Sequence, residues 1–251
     1  PEGGFTPEEI DDAKAAGLQI CTLGPRILRC ETAPLCALSA ILFAAGEFDE
    51  KEGVWSDVVY MPCTEATGFA PELPKKTPDL IYLCFPNNPT GAVYDKETLA
   101  ELCKIAIEKD VLIIWDECYK SILFDGAKFV SILDFPNMKE HSVIVNSCSK
   151  RYSMTGWRVG YLAGPSWLIS NMPKLQENIA ACVSVPSPYA ALAAFKSSDE
   201  ITDVMRQGFE KRRNVLINEL NKIDKVSVTP PKGTFYALVN IKETGIKCLW
   251  G

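Results

Sequence analysis

The stretch from Asn146 to Gly160 contains two side chains that suit covalent and ionic chemistry. Lys150 comes shortly after an apolar run, residues 142–145, that predicts a buried strand. A lysine just past such a strand can be partly removed from water, which favours the neutral amine and makes it a nucleophile for carbonyl carbons. Arg158 lies a short distance further along and carries a planar guanidinium that suits a phosphate group. Together they predict a site for a phosphorylated aldehyde cofactor.

Two further polar segments follow predicted strands. Phe85–Gly91 comes after one apolar run, and Trp115–Tyr119 comes after another. The carboxyl ends of parallel strands meet in one crevice, so we expect these segments to converge on the lysine. There, Asp116 could keep a pyridine nitrogen protonated, while Tyr119 and Asn88 could donate to a ring oxygen. The alternative, an ordinary exposed loop lysine, accounts for the first stretch alone but not for all three segments.

In this order, the three segments resemble those of the fold-type I pyridoxal-phosphate aminotransferases of class I/II, over roughly Val58 to Ile246. The resemblance implies that Lys150 bonds to the cofactor aldehyde and then acts as general base, and that Asp116 pairs with the pyridine nitrogen. It also implies the other cofactor contacts, to the ring oxygen and to the phosphate, from Asn88, Tyr119, Ser147 and Arg158.

Two subgroups of that family share the resemblance. Val59–Tyr94 is most similar to LL-diaminopimelate aminotransferases, whereas Cys103–Pro165 is more similar to the bacterial aspartate/aromatic group. The resemblance implies transfer of an amino group between an L-amino acid and a 2-oxo acid, and assembly as a homodimer. The identity of the amino acid stays open because the two halves point to different subgroups.

The composition argues against several other classes of protein. Hydrophobic residues make up 47% of the 251 residues and charged residues 23%, which predicts a folded core. A net charge of −6 offers no attraction to nucleic acid or an anionic membrane, and no apolar run reaches the length of a membrane span. The 10 cysteines are scattered without a Cys-x-x-Cys, and His141 is the one histidine. We therefore expect no zinc site, reduced thiols and a cytoplasmic location.

The first 48 residues follow a different pattern. Pro1–Phe5 and Leu23–Arg29, followed by Glu31–Ala33, resemble the C-terminal end of RsmE-type 16S rRNA uridine methyltransferases, which are knotted SPOUT enzymes. The resemblance implies a pocket for S-adenosylmethionine formed by Gly3, Gly4, Leu23, Gly24 and Arg26. The alternative is that a Gly-Gly turn and an arginine loop merely cap helices. Acidic residues outnumber basic ones in this segment, so we expect it not to dock on RNA by itself.

The predicted fold is α/β, with a mainly parallel sheet flanked by helices. We predict three parts: a SPOUT-like fragment over 1–48, a partial cofactor-binding large domain over 58–198, and a truncated α+β small domain over 199–251. We expect the first part to lie outside the sheet, beyond a polar junction at Glu47–Asp57. The predicted strands cover residues 58–63, 80–85, 111–115, 142–146, 226–228 and 235–241. The predicted helices cover residues 96–109, 166–183 with a kink or a split at Pro173, 188–196 and 200–222.

Two features typical of the aminotransferase family cannot be assigned in this sequence. One is an N-terminal phosphate-binding turn, and the other is a C-terminal arginine that grips the substrate carboxylate. Arg206, Arg212 and Arg213 have the spacing of a solvated helix face. We therefore expect a chain that binds pyridoxal phosphate but transaminates slowly. The alternatives are an S-adenosylmethionine-dependent rRNA methyltransferase fragment and a non-catalytic chimeric remnant. The apolar helix predicted over Ala33–Ala45 adds to the expectation of a dimer.

Overall fold

The computed structural model describes residues 59–173, 176 and 182–246. Apart from Val59, these residues belong to one compact unit, Tyr60–Gln176 with Ala180–Gly251. The other unit, Pro1–Val59 with Glu177–Ile179, lies almost wholly outside the described residues. The predictions made for residues 1–48, including the S-adenosylmethionine pocket and the apolar helix, therefore fall outside the part of the chain that the structure describes.

A four-stranded sheet forms the centre of the described unit. Its strands are β1 (Leu80–Cys84), β2 (Leu112–Asp116), β3 (Ser142–Ser147) and β4 (Gly160–Ala163), in that spatial order. The pairs β1–β2 and β2–β3 are parallel, and β3–β4 is antiparallel. The prediction of an α/β fold around a mainly parallel sheet is therefore confirmed.

Side-chain alternation gives this sheet two chemically different faces. The first face is apolar and belongs to the main core, to which it contributes Ile81, Leu83, Ile113, Trp115 and Ile144. The intervening residues point to the second face, which is polar toward the carboxyl ends of the strands. There it carries Tyr82, Cys84, Asp116 and Ser147. The sequence thus separates a packing face from a face that is free for chemistry.

Helix α1 (Lys96–Lys109) packs on the first face. Asp95 caps its start, because the carboxylate accepts hydrogen bonds from the backbone N–H and the hydroxyl of Thr98, both at 2.7 Å. Its predicted apolar stripe is fully buried, at Leu99, Leu102, Cys103 and Ala106. Both the limits and the buried face of this helix agree with the sequence prediction.

Further helices in the described ranges are α2 (Cys148–Arg151), α3 (Ser166–Ile169), α4 (Pro186–Phe195) and α5 (Asp199–Leu220). A two-stranded antiparallel ribbon joins β5 (Ser227–Val228) to β6 (Val239–Asn240). Short 3₁₀ turns cover Glu65–Thr67, Ile132–Asp134, Thr155–Trp157 and Lys242–Thr244. Within the described ranges, no helix is both long and apolar enough to cross a membrane.

Two sequence predictions about these elements are wrong, and a third is confirmed in part. Of the strand predicted over 58–63, the described residues form only a bridge between Cys63 and Pro71, because Val59 and Tyr60 are solvent-exposed and lack the burial of a sheet strand. The helix predicted from residue 166 is split near Pro173, as expected, but the break comes at Ser170 and Asn171, whose side chains donate to the carbonyl of Trp167 and compete with helical bonding; Met172, Pro173 and Gln176 are helical again. The strand predicted over 235–241 shortens to β6 because its first residues turn toward an aromatic cluster.

Candidate functional site

The carboxyl ends of β2 and β3 bring three predicted site residues to one edge of the sheet. Asp116 is the last residue of β2, Ser147 is the last residue of β3, and Lys150 lies on α2 directly after it. Register fixes their alignment, since Asp116 pairs with Cys84 on one side and with Val145 on the other. The expected convergence of these strand ends is present in the structure.

The amine of Lys150 lies over a pair of contacting aromatic rings, whose centres are 5.4 Å apart. Its Nζ is 5.7 Å from the ring centre of Tyr119 and 5.5 Å from that of Phe235, and the lysine itself is half-buried. Rings at this distance attract a cation and shield it from bulk water. Tyr119 is buried, and its hydroxyl is 3.3 Å from that of Tyr236. This cluster contains two predicted site residues, Lys150 and Tyr119, and two residues that the sequence did not predict for the site, Phe235 and Tyr236.

The carboxylate of Asp116 is held from both sides. Its Oδ1 accepts a hydrogen bond from the backbone N–H of Cys118 at 3.0 Å, and its Oδ2 accepts one from the hydroxyl of Tyr82 at 3.4 Å. Cys84 is a third neighbour: burial raises the pKa of its thiol, and the charge of Asp116 together with a hydrogen bond to that carboxylate raises it further. The thiol therefore stays protonated at neutral pH and can serve as a donor.

Asn88 reaches this group through its backbone. Its N–H forms a hydrogen bond to Cys84 that opposes the rise in the pKa of that thiol. The loop is held by the neighbouring Asn87, whose Oδ1 accepts from the hydroxyl of Thr90 at 2.8 Å and whose Nδ2 donates to the carbonyl of Cys84 at 3.2 Å. The Asn88 side chain is half-buried, and its contact with a ring oxygen stays a prediction.

Ser147 and Arg158 lie close together because β3 and β4 pair there. The hydroxyl of Ser147 accepts from the N–H of Ser149 at 3.0 Å and approaches the carbonyl of Val159 at 3.4 Å. Arg158 comes directly before Val159, is exposed, and donates from Nη1 to the carbonyl of Thr155 at 2.9 Å. A hydroxyl and a guanidinium at one strand end suit an anionic group, although the phosphate role of both residues stays a prediction.

A contact between distant loops carries Phe235 to the lysine. The carbonyl of Gly91 accepts from the N–H groups of Lys232 and Gly233, both at 3.0 Å. On the other side, the N–H of Thr234 donates to the carbonyl of Ile122 at 2.9 Å. The chain just before Phe235 is therefore held between the loop after β1 and the segment after Tyr119.

A buried polar network supports the strand ends from the first face of the sheet. The carboxylate of Glu117 accepts from Lys120 Nζ at 2.6 Å, Ser131 Oγ at 3.3 Å and Asn146 Nδ2 at 3.3 Å. Asn146 in turn accepts from the N–H of Ser147 at 2.7 Å. Because Glu117 follows Asp116 and Asn146 precedes Ser147, the network joins the positions that present two candidate site residues.

In the described ranges, no group of three or more His, Cys, Asp and Glu residues could hold a metal ion. The cysteines in those ranges are free thiols: Cys63, Cys84, Cys103, Cys118, Cys148 and Cys182.

Comparison with known proteins identifies the family. The family model for aminotransferase class I and II matches residues 56–250. The chain belongs to the class I and II aminotransferases. The family resemblance seen in the sequence is thus confirmed, as is the second one at a coarser level, because an RNA methyltransferase domain model matches residues 1–42.

The similar aminotransferases carry different substrate names. The chain is 40% identical over 163 residues to aromatic-amino-acid aminotransferase 2 of Thermococcus litoralis, covering 64% of this chain and 42% of that protein. It is 40% identical over 159 residues to an aspartate aminotransferase of Geobacillus stearothermophilus, covering 63% and 40%. The solved aromatic aminotransferase of Pyrococcus horikoshii matches with a TM-score of 0.70 at 34% identity, covering 75% of this chain and 52% of that one. The chain thus spans less than half the length of these two curated aminotransferases.

The residues missed in the sequence differ in how readily they could have been found. Alternation along β1 puts Tyr82 and Cys84 on the same face as Asp116, so a strand-by-strand assignment of faces would have identified both. Phe235 and Tyr236 give no local signal, because they contact Tyr119 across a long stretch of chain, 117 residues in the case of Tyr236.

Proposed function

We propose that this aminotransferase chain binds pyridoxal 5'-phosphate at the carboxyl edge of its sheet and serves amino-group transfer between an L-amino acid and a 2-oxo acid. One observation carries the proposal: the Lys150 amine lies over the contacting rings of Tyr119 and Phe235, at the edge where Asp116 and Ser147 end adjacent strands. An amine, a carboxylate and an anion-binding strand end are the groups that a phosphorylated pyridine aldehyde requires.

Each candidate residue has a chemical reason for its role. The Nζ of Lys150 would bond to the aldehyde carbon, and the Asp116 carboxylate would pair with the ring nitrogen. The hydroxyl of Tyr119 and the side chain of Asn88 would donate to the ring oxygen. Ser147 and Arg158 would bind the phosphate with a hydroxyl and a guanidinium. When bound, the cofactor supplies an electron-withdrawing ring that stabilises negative charge on the carbon next to the transferred nitrogen.

Lys150 has a second role in the proposed reaction. With a substrate amine bound in its place, the freed Nζ would serve as general base for the 1,3-proton shift, accepting the proton of the substrate α-carbon and giving it back. The rings of Tyr119 and Phe235 cover one side of that nitrogen and limit access of water from that side. The Glu117 network keeps the strand ends in register while the lysine moves between these two tasks.

We further propose that the protein works as a homodimer in the reducing cytoplasm. Apolar side chains exposed on α4, at Tyr189, Leu192 and Phe195, support a partner surface, and the free thiols of the described cysteines suit a reducing compartment. Light scattering at micromolar concentration tests the assembly, and a monomer would contradict it. The proposal leaves the amino acid open, since the named relatives act on different ones.

The experiment that tests cofactor binding uses the full chain, pyridoxal phosphate and borohydride. We expect a visible absorbance band on titration, and after reduction a cofactor mass on the peptide that contains Lys150. Lys150→Ala should abolish both signals. Lys104→Ala should change neither, because that side chain is 74% exposed and lies on α1 away from the strand ends. Reduction onto other lysines, with Lys150 unlabelled, would overturn the proposal.

A second candidate function concerns the N-terminal residues. The RNA methyltransferase match over residues 1–42 favours binding of S-adenosylmethionine by that segment. Calorimetric titration of the full chain with S-adenosylmethionine tests it, with Arg26→Ala as the variant expected to lose the heat of binding. Absence of any heat at micromolar protein would remove this candidate.

A further inference from the structure

The strongest unassigned feature lies next to the candidate ring-nitrogen partner. β1 and β2 pair in parallel, with Cys84 opposite Asp116 and Tyr82 opposite Ile114. Alternation points the side chains of Tyr82, Cys84 and Asp116 to the same face of the sheet. The Tyr82 hydroxyl extends along that face and donates to Asp116 Oδ2 at 3.4 Å. A neighbouring strand thus supplies a donor directly to the carboxylate.

The torsion that this donor restrains is a soft one. The last torsion of an aspartate joins tetrahedral and planar carbons and has a broad, nearly two-fold profile, so packing alone orients the carboxylate plane weakly. In this structure Oδ1 accepts from the Cys118 N–H, within the same loop, and Oδ2 accepts from Tyr82, on the adjacent strand. Two donors on different oxygens fix the plane. A carboxylate has about four lone-pair sites, which leaves acceptor capacity for one more partner.

We propose that Tyr82 is a positioning residue that orients the Asp116 carboxylate toward the ring nitrogen of the cofactor, an inference that rests on the proposed function. Cys84 assists from the same strand as a neutral thiol donor. Tyr82 does not contact the reacting atoms in this scheme, because it acts through Asp116. Removing its hydroxyl should therefore weaken only those interactions that pass through the carboxylate.

The test compares pyridoxal phosphate with its 1-deaza analogue, in which a C–H group replaces the ring nitrogen. The full chain and its Tyr82→Phe variant are titrated with each compound, and dissociation constants come from the visible or ultraviolet absorbance. We expect Tyr82→Phe to weaken binding of pyridoxal phosphate about fivefold, as is typical for loss of one hydrogen bond. We expect no change for the analogue, because it offers Asp116 nothing to accept from. Tyr60→Phe is the matched control, since Tyr60 is 68% exposed and has no role in the proposed site.

A double-mutant cycle separates positioning from a general effect on folding. In an Asp116→Asn background, Tyr82→Phe should no longer change the affinity for pyridoxal phosphate, because the oriented carboxylate is already gone. Equal weakening of both compounds, an unchanged affinity, or a full effect in the Asp116→Asn background would each overturn the inference while the wild-type chain still binds. Failure of the wild-type chain to bind pyridoxal phosphate would overturn the proposed function itself, and this inference with it.

Discussion

At the scale of single residues, the ion pair of Glu117 and Lys120 can be compared directly with a second ion pair of the same spacing elsewhere in the chain. In this pair and in Glu219–Lys222, the two residues are three positions apart, and the lysine Nζ is 2.6 Å from the glutamate Oε1. Their environments differ, because the Glu117 side chain is 5% exposed and that of Glu219 is 61% exposed. Only the buried carboxylate also accepts from Ser131 and Asn146.

We expect Glu117→Ala to lower the free energy of unfolding by about 2 kcal/mol, since it leaves buried donors without an acceptor. Glu219→Ala should change it by less than about 0.5 kcal/mol, because an exposed pair gains little over water. Urea denaturation of both variants at neutral pH makes the comparison. Equal losses would show that burial is not what gives the Glu117 network its strength.

The predicted residues of the site share a property that the missed ones lack. Asp116 and Ser147 close apolar runs, and Lys150 follows one, so the end of a strand can be read from the sequence around each of them. The sequence around Phe235 predicts a strand, because aromatic residues are common in strands. Its actual position depends on hydrogen bonds to loops near Gly91 and Ile122, which no local pattern encodes.

At the scale of elements, Gly91 governs how the loop after β1 meets the segment before Phe235. Gly91 has φ +70°, and a Cβ there would lie 2.2 Å from Pro231 Cβ and 2.9 Å from the carbonyl oxygen of Gly233. Gly126 has nearly the same backbone angle, φ +71°, but a Cβ there would have nothing within 4 Å. The two glycines separate conformational strain from loss of packing.

We predict that Gly126→Ala costs about 1 kcal/mol of stability, which is the strain of a left-handed alanine. Gly91→Ala should cost about 3 kcal/mol, because overpacking against backbone adds to the same strain. It should also weaken binding of pyridoxal phosphate, since the loop contact positions Phe235. Thermal unfolding and a cofactor titration of both variants provide the test, and similar values for the two would contradict the proposed contact.

The cap of α1 gives a prediction with a definite pH dependence. Burial of Asp95 disfavours its charged form, but hydrogen bonds from the backbone and hydroxyl of Thr98 outweigh it and lower the pKa of this carboxyl group. Its contribution is therefore present above the ordinary pKa of aspartate and is lost as the pH falls through the lowered value. Asp95→Ala should cost about 1 kcal/mol at pH 7, and the gap to wild type should narrow near pH 3.

Asp95→Asn is the control for the charge of that cap, since asparagine also caps helices well but does not ionise. It should keep most of the stability at pH 7, and the gap in stability between Asp95→Asn and Asp95→Ala should not depend on pH. Urea unfolding at both pH values measures this. A gap between wild type and Asp95→Ala that stays constant down to pH 3 would contradict the assigned role.

Helix α5 bears on the question of substrate binding. Arg206 pairs with Glu210 at 2.7 Å, and Arg213 pairs with Asp125 at 2.6 Å. The Arg206–Glu210 pair lies within the helix, where Arg206 also donates to the carbonyl of Leu123 at 3.4 Å, whereas the Arg213 pair joins the helix to the loop that contains Asp125. These ion pairs support the prediction that neither arginine grips a substrate carboxylate, since a ligand would have to compete with acids already in contact.

At the scale of the whole molecule, buried thiol and phenol groups make the free energy of unfolding fall at alkaline pH. Burial raises the pKa of Cys103 to about 12 and also raises those of Cys84 and Tyr94. In the unfolded chain these groups ionise near their ordinary values. Above about pH 9 the folded chain therefore holds more protons than the unfolded chain, and the free energy of unfolding falls as the pH rises.

Cys103→Ala removes one such group from the core. Between about pH 9 and about pH 11, we expect the free energy of unfolding to fall less steeply in this variant than in wild type. The difference in slope should be about 1.4 kcal/mol per pH unit, which corresponds to one proton. Guanidinium denaturation across that range measures it. Parallel curves for the two proteins would show that Cys103 ionises equally well in the folded chain.

The sheet and its main helix were predictable because each satisfies a local pattern. β1, β2, β3 and α1 lie within a residue or two of the predicted limits, as apolar runs and caps define them. Helices α4 and α5 also lie within two residues of their predicted limits. The break after α3 and the short β6 were less predictable, because side chains such as Asn171 bond to the backbone and long contacts override the periodicity.

The long reach from Tyr119 to Tyr236 also has a consequence for the order of folding. Strand pairs such as Leu80 with Leu112 close loops of roughly thirty residues, whereas the two tyrosines close one of 117. Loop-closure entropy makes the longer contact about 1 kcal/mol more costly before any packing rewards it. We therefore expect the sheet to form first and the wall around Lys150 last. A chain interrupted partway through folding would then have a complete sheet and an open, inactive lysine.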